Sequence, residues 1–474
     1  MRHLEKFQPA LRPAHTIRAH RRRSLDRRSS LPLPLRCRRP NAAPGNQRRM
    51  EAVVTPEILL GRSQIFIERH HQVDQKDLRS PKTPWAAAPM IQIEPVLDSF
   101  KCETLIIGAG ITGALLAERL TRHGGSVVII DREQPSQGST HASTAMVLWE
   151  IDRPLLELTE HYGFERAARC YRASLGAVRG LIALVASHQL QCQMRQRLSL
   201  YLATDEAITP LHDEFLLRRR AELPASFLDY SDLLKRFAFT RAGALLSPIA
   251  ADADPVQLAE GLLALSLQRG ARLFHANATS FDSARGAVGV GLDNGAVIEA
   301  HHAILATGYV APDIIKSRIQ QSSSSWAIAT KPQPENLWSD GALIWEACKA
   351  YHYARTTADG RIIFGGEDDA TLIDPAARDA AIPEKTSQLR HHLKALWPKA
   401  NGDVEFSWAG TFDTTVDGLP LIGAVPGYRN IYAAYGYGGN GITFSYLAAH
   451  LIAEFIEGST SPLFDDFALD RDAL

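Results

Sequence analysis

Three glycines set the frame of this chain: Gly108-Ala-Gly110-Ile-Thr-Gly113, placed between a short apolar run and a stretch of helical spacing. The run Thr104-Leu-Ile-Ile107 has the character of a buried strand, and Ala114 to His123 repeats its apolar positions as a helix does. A second apolar run, Val127-Val-Ile-Ile130, ends on Asp131. Strand, glycine turn, helix, strand and acid, in that order, predict the first βαβ unit of a dinucleotide-binding fold. In such a unit Gly108 permits the tight turn, Gly110 lets a pyrophosphate reach bare backbone, and Gly113 lets helix and strand pack closely. Ile111 and Thr112 open the helix, whose free N–H groups and positive dipole end face the phosphates. Asp131 follows Gly108 by 23 residues, near the spacing of the acid that binds ribose hydroxyls, with Arg132 beside it.

The remaining text extends this frame. Helical patterns run between Leu155 and His188, and Arg197 to Thr204 alternates like a strand. Asp254-Pro255 starts a helix reaching about Gly270, with proline at a favourable first-turn position. Ile298 to Leu305 leads into Ala306-Thr307-Gly308-Tyr309, Ser325 to Gly366 reads as several antiparallel strands, and Ile442 to Ile456 closes the chain as a helix. The expected class is α/β: a Rossmann-type domain from discontinuous segments (96–190, 240–320 and 405–474) with an inserted antiparallel-β, α+β substrate domain (191–239 and 321–404).

Charge separates the first residues from the rest. Residues 1–50 hold 14 Lys and Arg against Glu5 and Asp26, which leaves 38 basic and 50 acidic residues elsewhere although the whole chain sums to zero. An acidic body gives no electrostatic case for nucleic acid. For the basic, Ser- and Pro-containing start three readings compete: a targeting peptide, a twin-arginine export signal, or an unstructured extension (1–95 with its linker) that includes an upstream start misread ahead of Met50. The third fits best, because the only apolar stretch after the arginines, Leu31-Pro-Leu-Pro-Leu35, is short and broken by proline. Five scattered cysteines without a C-x-x-C pair argue against a disulfide framework and against structural zinc, and suit a reducing, cytoplasmic setting. No apolar run approaches the ~20 residues of a membrane span.

Two further segments bear on the ligand. Gly138-Ser-Thr-His-Ala-Ser-Thr-Ala145 is small and hydroxyl-rich where the chain passes close to it, and Gly436-Tyr-Gly-Gly-Asn-Gly-Ile-Thr443 can press bare backbone against a flat ring at the opening of the last helix. With Asp417-Gly-Leu-Pro-Leu-Ile-Gly423, this combination resembles the D-amino acid oxidase superfamily, which includes glycine, sarcosine and gamma-glutamylputrescine oxidases, from about Leu97 to Gly458. The resemblance implies FAD held without a covalent bond. Gly108, Gly110, Gly113 and Asp131 would hold its ADP half, and Thr307 and Gly308 would lie near the adenosine. Ser139, Thr140, Ser143 and Thr144 would line the flavin, and Gly438, Gly439, Asn440, Gly441, Ile442 and Thr443 its pyrimidine end. It implies oxidation of a C–N bond to an imine by hydride transfer to flavin N5, then hydrolysis, with O2 or a quinone as acceptor.

Substrate is read from what is missing. Glycine-oxidase-like members carry an Arg after Trp-x-Gly and another in the glycine-rich segment; here Phe412 and Gly439 stand there, which shifts the expectation from free α-amino acids to amines or N-substituted amino compounds. Tyr351, Tyr353 and Arg355 alternate on one strand face, where Arg355 would hold a distal carboxylate or, equally, serve as a structural ion pair. Glu150 and Asp152 would attract a cationic amine, or pair with Arg153 or a helix end. His141 sits one register away from the covalent-flavin histidine of some relatives. An NAD(P)-linked reductase would need a second glycine fingerprint, which the chain lacks, and an RNA-directed flavoenzyme would rest on the basic start.

Overall fold

The computed structural model describes residues 82–85, 91–203, 207–283, 286–347 and 351–472; the basic start, with the readings proposed for it, and Cys348 lie outside them. The fingerprint folds as its pattern predicts. The strand Phe100–Ile107 runs into the Gly108–Gly110 turn, the helix Ile111–Thr121 follows, and the strand Val127–Asp131 returns parallel to the first. Their adjoining stretches Leu105–Ile107 and Val127–Ile130 are apolar on both faces: Ile106 and Ile129 pack into the helical core, and Leu105, Ile107, Val128 and Ile130 into a second core with Val290, Ile298 and Tyr435. Leu105, Ile106, Ile129 and Ile130 are fully buried.

Four more strands join this sheet in parallel. Arg272–His275 and Glu94–Pro95 extend it beyond Val127–Asp131, and Val297–Leu305 and Ile431–Tyr435 extend it on the other side of Phe100–Ile107. Antiparallel strands Val288–Leu292, Ala278–Asp282 and Leu421–Ala424 complete nine. The helix Ile111–Thr121 packs against Pro255–Gln268 and Gly441–Ile456. Asp254 caps the first of these by accepting from the Val256 and Gln257 amides, both at 3.0 Å, which explains why that helix starts at the predicted Asp-Pro step.

A second nine-stranded sheet runs Val404–Thr415, Gln320–Thr330, Ile362–Asp369, Tyr353–Thr356, Leu343–Glu346, Arg195–Ala203, Gly243–Asp252 and Met146–Val147, with Ser226–Asp229 paired to Gly243–Asp252. It is antiparallel except where Leu343–Glu346 lies parallel to Arg195–Ala203. Membership departs from the expected segmentation at three strands: the short Met146–Val147, and the longer Gly243–Asp252 and Val404–Thr415, which belong here rather than to the dinucleotide sheet. The apolar alternation of the two longer strands is compatible with either sheet, and only the pairing with Arg195–Ala203 and Gln320–Thr330 assigns them. Among the described residues no helix is long and apolar enough to cross a membrane.

Candidate active site

Two cavities meet along the line between the sheets. One, with about 1860 Å³ of open space, spreads over the carboxyl ends of the parallel strands and is lined by Gly108, Gly110, Asp131, Arg132 and Thr307. The other, about 1350 Å³, is lined by Ser143, Thr144, Glu150, Asp152, Tyr351, Tyr353 and Gly438–Ile442. Ile111, Thr112, Ser139, Thr140 and Gly308 border both, so the two form one elongated space.

The first half is shaped by backbone. Gly108 has φ +112°, and a Cβ there would stand 2.3 Å from the Ala306 carbonyl oxygen. A Cβ on Gly113 would stand 1.9 Å from the Gly108 carbonyl oxygen, so Gly113 serves helix–strand contact and does not reach the cavity. Asp131 Oδ2 accepts from the Ala109 amide at 2.6 Å and Oδ1 from Glu133 N at 2.9 Å. Desolvation pushes this carboxyl above its ordinary range, against those bonds and the Arg132 charge. Thr140 Oγ1 accepts from the Ile111 amide at 3.0 Å, fixing the hydroxyl-rich segment to the helix start. Thr307 Oγ1 bonds the Tyr435 hydroxyl at 2.8 Å.

Along 142–145 the carbonyls are turned away from the cavity and held by buried donors. Trp408 Nε1 donates to Ala142 O at 2.9 Å and Trp85 Nε1 to Ser143 O at 2.9 Å. Arg355 donates to Thr144 O (2.8 Å), Ala145 O (3.1 Å) and Ala253 O (2.9 Å). This corrects the expectation of a substrate-binding guanidinium. Arg355 is 3% exposed, sits 3.7 Å from Asp252 Oδ2, and lines neither cavity; strand alternation gave its face but not its partners. Tyr351 and Tyr353 do stand side by side in the cavity wall, ring centres 6.2 Å apart. His141 points instead toward Thr83 Oγ1 at 3.3 Å and lines neither cavity.

The glycine turn before the last helix is stitched to residues 148–152. Gly439 N donates to Asp152 Oδ2 at 2.8 Å, and Asn440 Nδ2 to Asp152 Oδ1 at 3.2 Å and Glu150 O at 2.8 Å. A Cβ on Gly438, at φ +57°, would stand 1.9 Å from Asp152 Oδ2. Thr443, predicted to touch the ligand, donates to Leu148 O at 2.7 Å and is buried outside the cavity lining. Asp152 is open to the cavity yet enclosed by protein on its other sides, and desolvation pushes its carboxyl up to about 6. Glu150 pairs with neither Arg153 nor a helix end. Its Oε1 accepts from Ser247 at 2.6 Å and Ser199 at 3.3 Å, with Arg218 Nη1 at 3.7 Å.

Most of the aromatic wall was not foreseen as such, Tyr309, Trp345 and Tyr437 among it. Tyr309 follows the Ala-Thr-Gly segment directly, and that adjacency was the available signal. Trp345 stacks on Tyr201 at 3.7 Å between ring centres, a contact with no signature in sequence.

A flat, phosphate-bearing dinucleotide fits these features. The glycine turn leaves backbone bare where a Cβ would collide, hydroxyls line the middle, and the first turns of two helices open on the space. The fold and this site define a flavin-dependent oxidoreductase. Residues 103–455 match the family described as DAO, FAD dependent oxidoreductase, and the chain belongs to that family. YhfW of Bacillus subtilis (strain 168), named for a Rieske 2Fe-2S iron-sulfur centre, is 25% identical over 83% of this chain and 76% of its own. Gamma-glutamylputrescine oxidoreductase of Escherichia coli (strain K12) is 23% identical over 78% of this chain and 87% of its own. The tRNA 5-methylaminomethyl-2-thiouridine biosynthesis bifunctional protein MnmC of Burkholderia vietnamiensis (strain G4 / LMG 22486) is 25% identical, over 76% of this chain and 57% of its own. The crystal structure of glycine oxidase from Geobacillus kaustophilus superimposes with TM-score 0.66 at 20% identity, covering 79% of this chain and all of that one, and shows the shared fold.

Proposed function

We propose that this FAD-dependent oxidoreductase oxidises the C–N bond of a cationic amine that carries no α-carboxylate at the reacting end. One observation carries the reading. Among the described residues, the lining of the 1350 Å³ cavity includes Glu150 and Asp152 and no Lys, Arg or His. A free carboxylate entering such a site would lose its hydration without gaining a cation, whereas an ammonium gains Asp152 and several aromatic faces, Glu150 being already engaged by Ser247 and Arg218.

FAD, once bound, supplies the two-electron acceptor for the hydride lost from carbon. In the assignment we favour, Gly108, Gly110, Ile111, Thr112, Asp131, Arg132, Thr307 and Gly308 hold its ADP half. Ser139, Thr140, Ser143, Thr144 and Gly438 to Ile442 border its ring end. The chain's own residues prepare the substrate. An ammonium has no lone pair to push into a C=N bond, so it must first lose a proton. Asp152, with its carboxyl near 6, is the wall group whose proton affinity suits that transfer. Tyr351 and Tyr353 remain protonated because burial raises both, and they orient the amine by donating or accepting. Loss of hydride leaves an iminium, which water then splits into a carbonyl compound and the released amine or ammonia.

The test is a steady-state comparison of polyamines and N-substituted amines with glycine and D-amino acids, scoring carbonyl product. The proposal expects kcat/KM at least tenfold higher for an amine than for its α-carboxylated counterpart. Equal or reversed preference rejects it.

A further inference from the structure

On the strand edge beside the two cavity tyrosines, His352 is buried and turns onto the helix Ile382–Leu396, its ring 4.3 Å from that of His392 and near-parallel to it. His352 Nδ1 lies 3.0 Å from Glu346 Oε2, and its Nε2 lies 3.0 Å from Glu367 Oε1. The same Glu367 oxygen is 3.3 Å from His392 Nε2, and one donor atom from each of His352, Glu367 and His392 falls within 4.8 Å of the others.

Two of these separations approach those of a metal's ligand shell. Zinc bonds of about 2.0–2.1 Å to nitrogen and about 2.0–2.2 Å to oxygen place tetrahedral donors about 3.3–3.5 Å apart. The two edges that meet at Glu367 Oε1, 3.0 and 3.3 Å, already lie near that value. A second feature points the same way. Glu346 holds the Nδ1 side of His352 and is itself held by Arg241 at 3.1 Å, the carboxylate support that fixes a ligating imidazole and aims its Nε2. Glu367 is also kept at φ +60°, uncommon for a residue with a side chain, and its Oε1 meets the Nε2 atoms of both rings.

We propose that His352 Nε2, His392 Nε2 and Glu367 Oε1 bind one divalent transition-metal ion of the zinc type, with water in the fourth position. The near-parallel rings leave the two Nε2 lone pairs side by side. His392, whose side chain is 42% exposed, turns about its Cβ–Cγ bond to converge on the ion. Lys385 Nζ, 3.7 Å from Glu367 Oε2, keeps the other carboxylate oxygen. The ion ties the Tyr353–Thr356 and Ile362–Asp369 strands to the helix behind them, and so braces the wall that presents Tyr351 and Tyr353. Nothing in this site depends on the amine reading above.

Equilibrium dialysis of chelator-treated, FAD-loaded protein against buffered Zn2+ tests the proposal, with bound metal quantified per flavin. The expected result is one saturable Zn2+ per chain. His392→Ala should weaken binding at least tenfold, and His391→Ala, on the same helix but outside the triad, should leave it unchanged. Retained flavin absorbance and far-UV circular dichroism confirm that each variant is folded. The absence of saturable binding in the wild type, or equal binding by His392→Ala, overturns the site and leaves His352 as an imidazolium between two carboxylates.

Discussion

The Gly439 amide donates to the Asp152 carboxylate at 2.8 Å, which ties the acid in the cavity wall to the glycine turn that opens the last helix. Asn440 repeats the connection to the other oxygen at 3.2 Å.

The raised pKa of Asp152 gives a pH signature. Its carboxyl is pushed up to about 6 by desolvation, so the anion that attracts an ammonium and accepts its proton forms as pH rises through that value. A pH profile of kcat/KM on a cationic amine should climb through about pH 6, and Asp152→Asn should abolish that limb while lowering kcat/KM at least tenfold. For stability the sign is opposite. A carboxyl raised in the folded state favours folding most below its unfolded value of 3.8, and that contribution is lost as pH rises through about 6.

Arg355 should behave as a structural residue. Its guanidinium is desolvated enough to lower its pKa to about 10, and it satisfies three carbonyls at once. Arg355→Met should cost about 3–5 kcal/mol in denaturant unfolding, the usual scale for breaking a buried charge network. Any loss of amine turnover should follow the unfolded fraction. A substrate role would instead raise KM in a protein of unchanged stability.

Gly108→Ala tests the dinucleotide turn. The φ of +112° disfavours any side chain, and the new Cβ would meet the Ala306 carbonyl at 2.3 Å. Strain of this kind costs about 1–3 kcal/mol, to which the collision adds. Purified variant should carry less than a tenth of the wild-type FAD. Full flavin content would show that the turn does not shape the cofactor site.

Tyr353→Phe separates orientation from bulk. The phenol stays protonated, with its pKa pushed up to about 12, and removal of the hydroxyl leaves the ring in place. KM for the preferred amine should rise several-fold with little change in melting temperature, as read by stopped-flow and thermal unfolding.

The dinucleotide half was legible because its signals are local. Gly108, Gly110 and Asp131 act within one βαβ unit, and each stands where the pattern put it. Hydroxyls at Ser139, Thr140, Ser143 and Thr144 also line the space as expected. What the pattern did not carry is partnership over long separations. Trp85 and Trp408 reach the 142–145 carbonyls from 58 and 266 residues away, and Arg355 from 211. Thr443 failed as a ligand residue for the same reason, since its hydroxyl is consumed by Leu148 O, 295 residues distant. Alternation in sequence put Tyr351 and Tyr353 on one side of the chain, and both line the wall although the strand itself starts at Tyr353. It could not distinguish a cation facing substrate from one facing carbonyls.

A cationic amine without an α-carboxylate should reduce the flavin of this enzyme. Anaerobic titration of the FAD-loaded protein, followed by its visible flavin absorbance, tests it most directly. A polyamine or N-substituted amine should bleach the flavin stoichiometrically, and glycine or a simple D-amino acid at equal concentration should not. Bleaching by the amino acids alone, or by no amine at all, would contradict it.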